Sequence, residues 1–177
     1  MINRMGKHGA EGYNAYRDKL NWWFAKQKMK ETDIDNLLEE VLEQHRDIRR
    51  VKDCAKKAGL RLGRFITNKD LALYYDIYRG KQDLGYISKG WDDPGFMVGD
   101  SIEMDKGMPL FKEKFYDVFK ICAKNLISVH VSEKQNNPIL IGMDIGIYRD
   151  GFNAAVFKEA VSTLSKAMQT IRLSLEF

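Results

Sequence analysis

The period of the hydrophobic pattern changes at Gly59. Before Gly59, apolar residues recur every three or four positions in two stretches, 10–30 and 32–58, a spacing typical of amphipathic helices. After Gly59, side chains alternate in character over short stretches, a spacing typical of β-strands. Helices followed by short alternating strands predict an α+β domain.

The strongest strand pattern lies at Ile139–Tyr148, where five large aliphatic side chains occupy alternate positions. Other strands are expected at 71–78, 84–89, 96–103 and 127–133, with a short extended piece at 60–63 that Gly63 interrupts. Helices that cover the sheet are expected at 109–125 and 153–170. The alternation of Leu173, Leu175 and Phe177 favours a last edge strand.

Short connections between these strands predict an antiparallel sheet. The expected fold is an antiparallel sheet of about five strands, with helices packed mainly on one face and two N-terminal helices before it. We expect a single domain over 1–177, made of a flexible start at 1–9, a helical part at 10–58 and a sheet-containing part at 60–177.

This order of elements is similar to that of type III secretion chaperone-like domains, in which an N-terminal helix, three strands, a helix, two strands and a final helix form a dimerising adaptor. The resemblance is one of shape, without a shared residue motif. It differs in charge, since those chaperones are typically acidic and this chain has a formal net charge of +4. The resemblance implies a dimerising adaptor.

Composition and cysteine use exclude several classes of protein. Hydrophobic residues make up 44% of the chain and charged residues 31%, too apolar for a disordered chain and too polar for a membrane protein. Cys54 and Cys122 lie far apart, which favours two reduced thiols in a cytoplasmic protein over a disulfide or a CxxC metal site. We expect no membrane association, no metal and no cofactor.

Asp144 is the most conspicuous candidate for chemistry. Residues Ile141–Gly146 resemble the first-strand signature of actin-like ATPases and RuvC-type nucleases, which implies a carboxylate at a metal or phosphate site; the resemblance covers six residues. The alternative is that Gly142 and Gly146 let a helix approach the sheet or mark bulges. An enzyme site would combine Asp144 with Tyr148 and Asp76. We expect no enzyme, and therefore no catalytic residues, because no complete catalytic motif occurs.

A basic cluster at the end of the second helix is the best candidate for binding. Between positions 46 and 64 the chain has eight basic residues and two acidic ones. The cluster can contact a protein partner or the phosphates of a nucleic acid. The apolar stripe weakens beyond Ile48, so we expect the last two turns of this helix to stand away from the domain. The cluster consists of Arg46, Arg49, Arg50, Lys52, Lys56, Lys57, Arg61 and Arg64.

The first helix has more aromatic surface than one packing contact requires, which favours a protein interface. Our leading hypothesis is therefore a non-enzymatic adaptor, inhibitor or regulator that binds another protein; the alternative is a nucleic-acid-binding protein that uses the basic cluster. Self-association as a homodimer stays open. The expected interface residues are Tyr13, Tyr16, Trp22, Trp23 and Phe24.

Overall fold

The structure is a computed structural model that describes residues 31–67, 70–133 and 138–176. By contacts between residues, the chain divides into two compact units, Met1–Arg50 and Val51–Phe177, and the boundary falls inside a helix. The first aromatic helix expected at 10–30, with its five interface residues, lies outside the described residues. The second unit contains the whole sheet and two of the described helices.

Three helices and six strands make up the described part of the chain. The helices are α1 (Glu31–Lys57), α2 (Phe111–Lys124) and α3 (Ala154–Glu176). The strands are β1 (Arg61–Ile66), β2 (Leu71–Arg79), β3 (Gln82–Gly90), β4 (Gly95–Met104), β5 (Ser128–Glu133) and β6 (Ile139–Tyr148), and a short 3-10 turn follows at Arg149–Gly151. Within the described ranges, no helix is both long enough and apolar enough to cross a membrane.

The six strands form one antiparallel sheet in the order β1-β2-β3-β4-β6-β5. Helix α3 packs on β3, β4 and β6, and α2 packs on α3 and β5. The end of α1 lies over β2 on the same side, where the Lys52 ammonium is 6.0 Å from the centre of the Tyr75 ring. The helices of the second unit therefore cover one face of the sheet, as the sequence predicts.

The core lies between this face and the helices. An aromatic cluster joins β4, the turn after β6, and α3: the Phe96 and Phe152 ring centroids are 4.3 Å apart, and those of Phe152 and Phe157 are 5.4 Å apart. All three rings are buried. Burial of apolar side chains contributes about 1.5–3 kcal/mol each, so this cluster holds α3 against the sheet.

Three expectations from the sequence are corrected. The sheet has a sixth strand, because the piece interrupted by Gly63 continues to Ile66 and pairs with β2. The expected edge strand at the chain end is wrong, since α3 continues to Glu176. The last two turns of α1 do not stand away from the domain: Val51, Cys54 and Ala55 are buried. A narrower apolar stripe is enough there because only one side of the helix meets the sheet.

Two helices end with the same hydrogen-bond pattern but with different residues. After α1, Gly59 has a φ of +70° and donates from its backbone N–H to Lys56, while Leu60 donates to Ala55. After α2, Leu126 has a φ of +55° and donates to Ala123, while Ile127 donates to Cys122. Both are Schellman motifs, whose left-handed position favours glycine. Leucine at this position is strained, and its side chain is 89% exposed.

Replacing Leu126 by glycine is expected to stabilise the protein by about 1 kcal/mol, because it removes the strain of a branched side chain in the left-handed region without loss of buried surface. The reciprocal change, Gly59→Leu, is expected to destabilise it by a similar amount. Urea unfolding followed by circular dichroism measures both. A loss of stability in Leu126→Gly would show that the Leu126 side chain contributes to packing.

Candidate binding face of the sheet

The face of the sheet opposite to the helices is the candidate functional site. Side chains alternate along each strand, and residues paired across strands share a face. In the described part of the second unit, no helix packs on this face. We call it the outer face. Its members include Tyr74, Asp76, Tyr78, Tyr86, Ser88, Met97, Gly99, Ser101, Glu103, Ser128, His130, Ser132, Leu140, Gly142, Asp144, Gly146 and Tyr148.

Two tyrosines cross the middle of the outer face. The rings of Tyr74 on β2 and Tyr86 on β3 stack with their centroids 5.2 Å apart and their planes at 23°. The Tyr86 ring continues over Gly99 on β4, where a Cβ atom would lie 2.6 Å from its Cζ and Oη atoms. Glycine at position 99 therefore allows the ring to lie flat across β4 and to reach toward β6.

Asp144 follows next in this row, because it pairs with Gly99 across β4 and β6. Its carboxylate Oδ2 lies 2.8 Å from Nε2 of His130 on β5, and the Asp144 residue is only 8% exposed whereas the His130 side chain is 71% exposed. The imidazole therefore covers the carboxylate and presents its other nitrogen to solvent, where it can hydrogen-bond a bound group.

Glycines leave the outer face bare along β6, on either side of Asp144. Among the described residues, a Cβ atom at Gly146 would meet no heavy atom within 4 Å, and one at Gly142 would meet only atoms of His130 at ordinary contact distance. Of the two explanations expected for these glycines, the bulge is wrong, and close approach by a helix is not seen for the described helices of this unit. The pairing of β6 with β4 is continuous through both positions, so there is no bulge, and the described helices of this unit lie on the opposite face.

An apolar pocket of about 260 Å³ lies beside Gly146, at the end of β4 and β6. Its walls come from Met97, Tyr148 and the segment before β4, and its volume is just below the range of about 300–1,000 Å³ typical of small-molecule sites. A pocket of this size accepts one large side chain. The lining residues are Asp93, Pro94, Gly95, Phe96, Met97, Gly146, Ile147 and Tyr148.

Carboxylates dominate the electrostatics of the outer face. Asp76, Glu103 and Asp144 belong to it, and Asp93 borders the pocket. Burial raises the pKa of the Tyr74 phenol, and the charge of Asp76 and a hydrogen bond to it raise the pKa further. Burial also raises the pKa of Tyr86, with the charges of Asp144 and Asp100 adding to the shift. The neighbouring carboxylates thus favour the protonated form of Tyr74 and Tyr86.

The raised pKa of Tyr74 predicts a loss of stability at alkaline pH. The folded protein holds this proton more tightly than the unfolded chain, whose tyrosines have a pKa near 10.0. The contribution of protonated Tyr74 to the free energy of unfolding is therefore complete below pH 10 and is lost as pH rises beyond 10. Tyr74→Phe is expected to flatten this decline between about pH 9 and about pH 11 in urea unfolding. Tyr148→Phe, with its ring exposed, is the control, and an unchanged slope in Tyr74→Phe would contradict the account.

The structure spreads the basic cluster along α1 and β1, and all of its members except the half-buried Arg50 are exposed. Arg61 lies over the Tyr78 ring, with its guanidinium carbon 4.2 Å from the ring centre, so this cation is held at the border of the outer face. The cluster members within the sheet unit are Lys52, Lys56, Lys57, Arg61 and Arg64, and those within the first unit are Arg46, Arg49 and Arg50.

The three residues of the enzyme alternative share the outer face but do not meet. Asp144 and Tyr148 lie on β6, whereas Asp76 lies on β2, with β3 and β4 between them. Three strand spacings of about 4.8 Å separate the two carboxylates by roughly 14 Å, too far for joint action on one bond. Within the described ranges, no three histidine, cysteine, aspartate or glutamate side chains are grouped so that they could hold a metal ion.

Sequence reasoning missed His130 and the stacked tyrosines. His130 is separated from Asp144 by a connection and the start of β6, and only the register of the two strands brings the residues together. Pairing the predicted strands at 127–133 and 139–148 as a hairpin would have placed His130 beside Asp144. Tyr74 and Tyr86 were assigned to strands, but their common face follows from the register of β2 with β3, in which Tyr74 pairs with Ser88 and Asp76 with Tyr86.

Comparisons with known proteins identify the fold and no family. No family model matches the chain, and no curated protein matches it either. The crystal structure of an uncharacterized protein from Methanothermobacter thermautotrophicus is similar, with a TM-score of 0.57 and 9% sequence identity over 71% of this chain and 94% of that chain. The crystal structure of YbjN from E. coli, a candidate transcription regulator, has a TM-score of 0.46 and 13% identity over 73% of this chain and 89% of its own.

Proposed function

We propose that this protein is a non-enzymatic interaction protein, an adaptor, inhibitor or regulator, that binds another protein through the outer face of its sheet. The observation that carries the proposal is the apolar pocket beside Gly146, on a face with no described helix over it in the second unit. Apolar pockets rimmed by polar groups are typical of surfaces that accept an anchor side chain. We propose a cytoplasmic location, because Cys54 and Cys122 are buried thiols that form no disulfide.

The charge of the outer face favours a basic partner. The carboxylates of Asp76 and Glu103 lie on it and that of Asp93 borders the pocket, while Asp144 is covered by His130 and the Arg61 guanidinium is stacked on Tyr78 at the border. Complementary charge speeds encounter and selects the partner more than it adds affinity. The expected partner segment therefore combines a large apolar side chain, which fills the pocket, with lysine or arginine residues on either side of it.

Comparative affinity capture tests this proposal. Three full-length baits, wild type, Gly146→Val and Gly151→Val, are exposed to an extract of the source cells, and bound proteins are quantified by mass spectrometry. Valine at Gly146 fills the pocket edge, whereas Gly151 has equally open space but does not line the pocket. The proposal expects a protein retained by wild type and Gly151→Val and lost with Gly146→Val. Identical capture by all three baits would contradict it.

Nucleic-acid binding through the basic cluster is the second candidate, favoured by the exposure of seven of its eight members. Such binding would avoid the acidic outer face and use the end of α1 and β1. We expect, for this candidate, binding to labelled DNA or RNA that weakens steeply between about 50 and about 200 mM salt, with each lost phosphate contact lowering the salt slope by about one unit.

Charge reversal separates this candidate from the first. Lys56→Glu, Lys57→Glu and Arg64→Glu together remove exposed cations of the sheet unit. The matched control reverses Lys112, Lys120 and Lys124, which are exposed on α2. If the fluorescence anisotropy of the labelled nucleic acid shows a loss of binding only for the first variant, nucleic-acid binding by the cluster is supported. The same loss in both variants would indicate a nonspecific charge effect.

A further inference from the structure

The two edge strands of the sheet differ in regularity and in charge. β1 and β5 are the outermost strands, and each has one side without a partner strand among the described residues. Unpaired backbone N–H and C=O groups on an edge are a template for a further strand, and proteins usually protect them with charges, prolines or bulges. The comparison of β1 with β5 therefore shows which edge is available for pairing.

The β1 edge carries the usual protection. Its register with β2 shifts between Leu62 and Phe65, which bends the strand, and Arg61 and Arg64 are exposed on it. A Cβ atom at Gly63 would lie 2.8 Å from the Tyr78 ring and 3.0 Å from the Asp76 Cβ, so there is no room for a side chain at this position. A further strand would have to pair with an irregular and charged edge.

The β5 edge has no register shift and no arginine, and its one charged residue is Glu133 at the end of the strand. All six of its residues pair with β6 in continuous register, from Ser128 opposite Asp144 to Glu133 opposite Ile139. The strand contains no lysine, arginine or proline. Val131 lies on the helix side of the sheet, where it pairs with the buried Ile141, and is nevertheless 46% exposed. The β5 edge is therefore straight and regular.

A strained leucine stands directly before this edge. Leu126 occupies the left-handed position of the Schellman motif at the end of α2, and its side chain is 89% exposed. The equivalent position after α1 is Gly59, which shows that the same motif forms with the favoured residue. Strain that brings no packing is characteristic of a residue kept for contact with something else.

We propose that the β5 edge binds an extended segment of a partner protein as a seventh strand, with Leu126 and Val131 as its apolar contacts. The backbone groups of a straight edge are complemented by another extended backbone. The side-chain chemistry of the segment follows from the faces of β5. Val129 and Val131 lie on the helix side and Ser128, His130 and Ser132 on the outer side, so the segment alternates apolar with polar residues.

This inference extends the proposed protein-binding role to a second surface and does not depend on the pocket at Gly146. The two surfaces can be tested separately, because they lie on different sides of β6. Gly146 lines the pocket that β6 shares with β4, whereas Leu126 and Val131 lie just before and on β5, the edge strand on the other side of β6. Loss of the pocket interaction with intact strand addition, or the reverse, therefore identifies which of the two proposals fails.

A labelled peptide of about eight residues, in which valine and threonine alternate between terminal lysines, provides the probe. Its binding to the full-length protein is followed by fluorescence anisotropy. The same peptide with alternate backbone amides methylated is the control, because methylation removes the donors needed for strand pairing. We expect the unmodified peptide to bind and the methylated peptide to bind at least about tenfold more weakly.

Three variants test whether the peptide binds at the β5 edge. Val131→Lys places a charge on the edge and is expected to weaken peptide binding at least about tenfold. Leu126→Gly is expected to weaken binding while raising the melting temperature, so that loss of binding cannot result from unfolding. Phe65→Lys makes the same kind of change on β1, where Phe65 is 39% exposed, and is expected to leave binding unchanged.

Several results would overturn the proposal. They are the absence of binding up to about 1 mM peptide, equal binding of the methylated peptide, and binding that is unaffected by Val131→Lys and Leu126→Gly. Sedimentation that reveals a dimer abolished by Val131→Lys would show that the edge pairs with a second copy of the chain. That result would mean that the added strand comes from a second copy of the chain and not from a partner protein.

Discussion

Replacing Gly146 by valine is expected to weaken binding of the captured partner at least about 30-fold, which corresponds to roughly 2 kcal/mol. Position 146 has open space around it, so the new side chain does not clash with the protein. It enters the volume beside Met97 and Tyr148 instead, where the anchor side chain of the partner is expected. Calorimetric titration of the partner with each variant measures the change.

The same substitution is expected to leave the fold intact or to stabilise it by about 0.5–1 kcal/mol, because valine favours the strand and glycine does not. Binding should therefore weaken while stability is unchanged or increased, a combination that a destabilised fold cannot imitate. Gly151→Val is the control and is expected to bind as wild type does. If Gly146→Val binds with unchanged affinity, the pocket is not the contact site.

Replacing Phe157 by alanine is expected to lower the free energy of unfolding by about 3–5 kcal/mol. Phe157 is fully buried, and its ring meets Phe152, which meets Phe96 in turn. Removing the ring leaves a cavity between α3 and the sheet. Since a domain of this size is stable by only about 5–15 kcal/mol, the variant should unfold at a much lower urea concentration.

Phe65→Ala is the matched control, with the same atoms removed from the β1 edge. Phe65 is 39% exposed and contacts the Tyr75 ring with centroids 5.2 Å apart, so we expect a loss of about 1 kcal/mol or less. Comparable losses for both phenylalanines would mean that α3 is not anchored by the aromatic cluster.

The fold class could be predicted from the sequence because its strongest patterns are local. Five alternating aliphatic residues predict a strand at 139–148, and β6 has those bounds. The broad apolar face predicted at 109–125 corresponds to α2. The errors lie where local pattern is weak. β1 contains Gly63 and two arginines, and only its pairing with β2 makes it a strand.

The candidate site could be predicted only in part, since it depends on register. Asp144 was identified from the sequence, but its partner His130 comes from another strand. The glycines were identified too, yet their role depends on which face the helices cover, and alternation alone does not distinguish the two faces of a strand. The exposed Leu126 was missed because a left-handed backbone at leucine leaves no sequence signal.

Hydroxyl-radical footprinting of the full-length protein, with and without the captured partner, tests the central claim most directly. Met97, Tyr148 and His130 are oxidisable side chains on the outer face, and Tyr116 on α2 is a reference that is 62% exposed. We predict that the partner protects Tyr148 and Met97 from oxidation and leaves Tyr116 unchanged. Protection of Tyr116 with unchanged oxidation of Tyr148 and Met97 would contradict binding at the outer face.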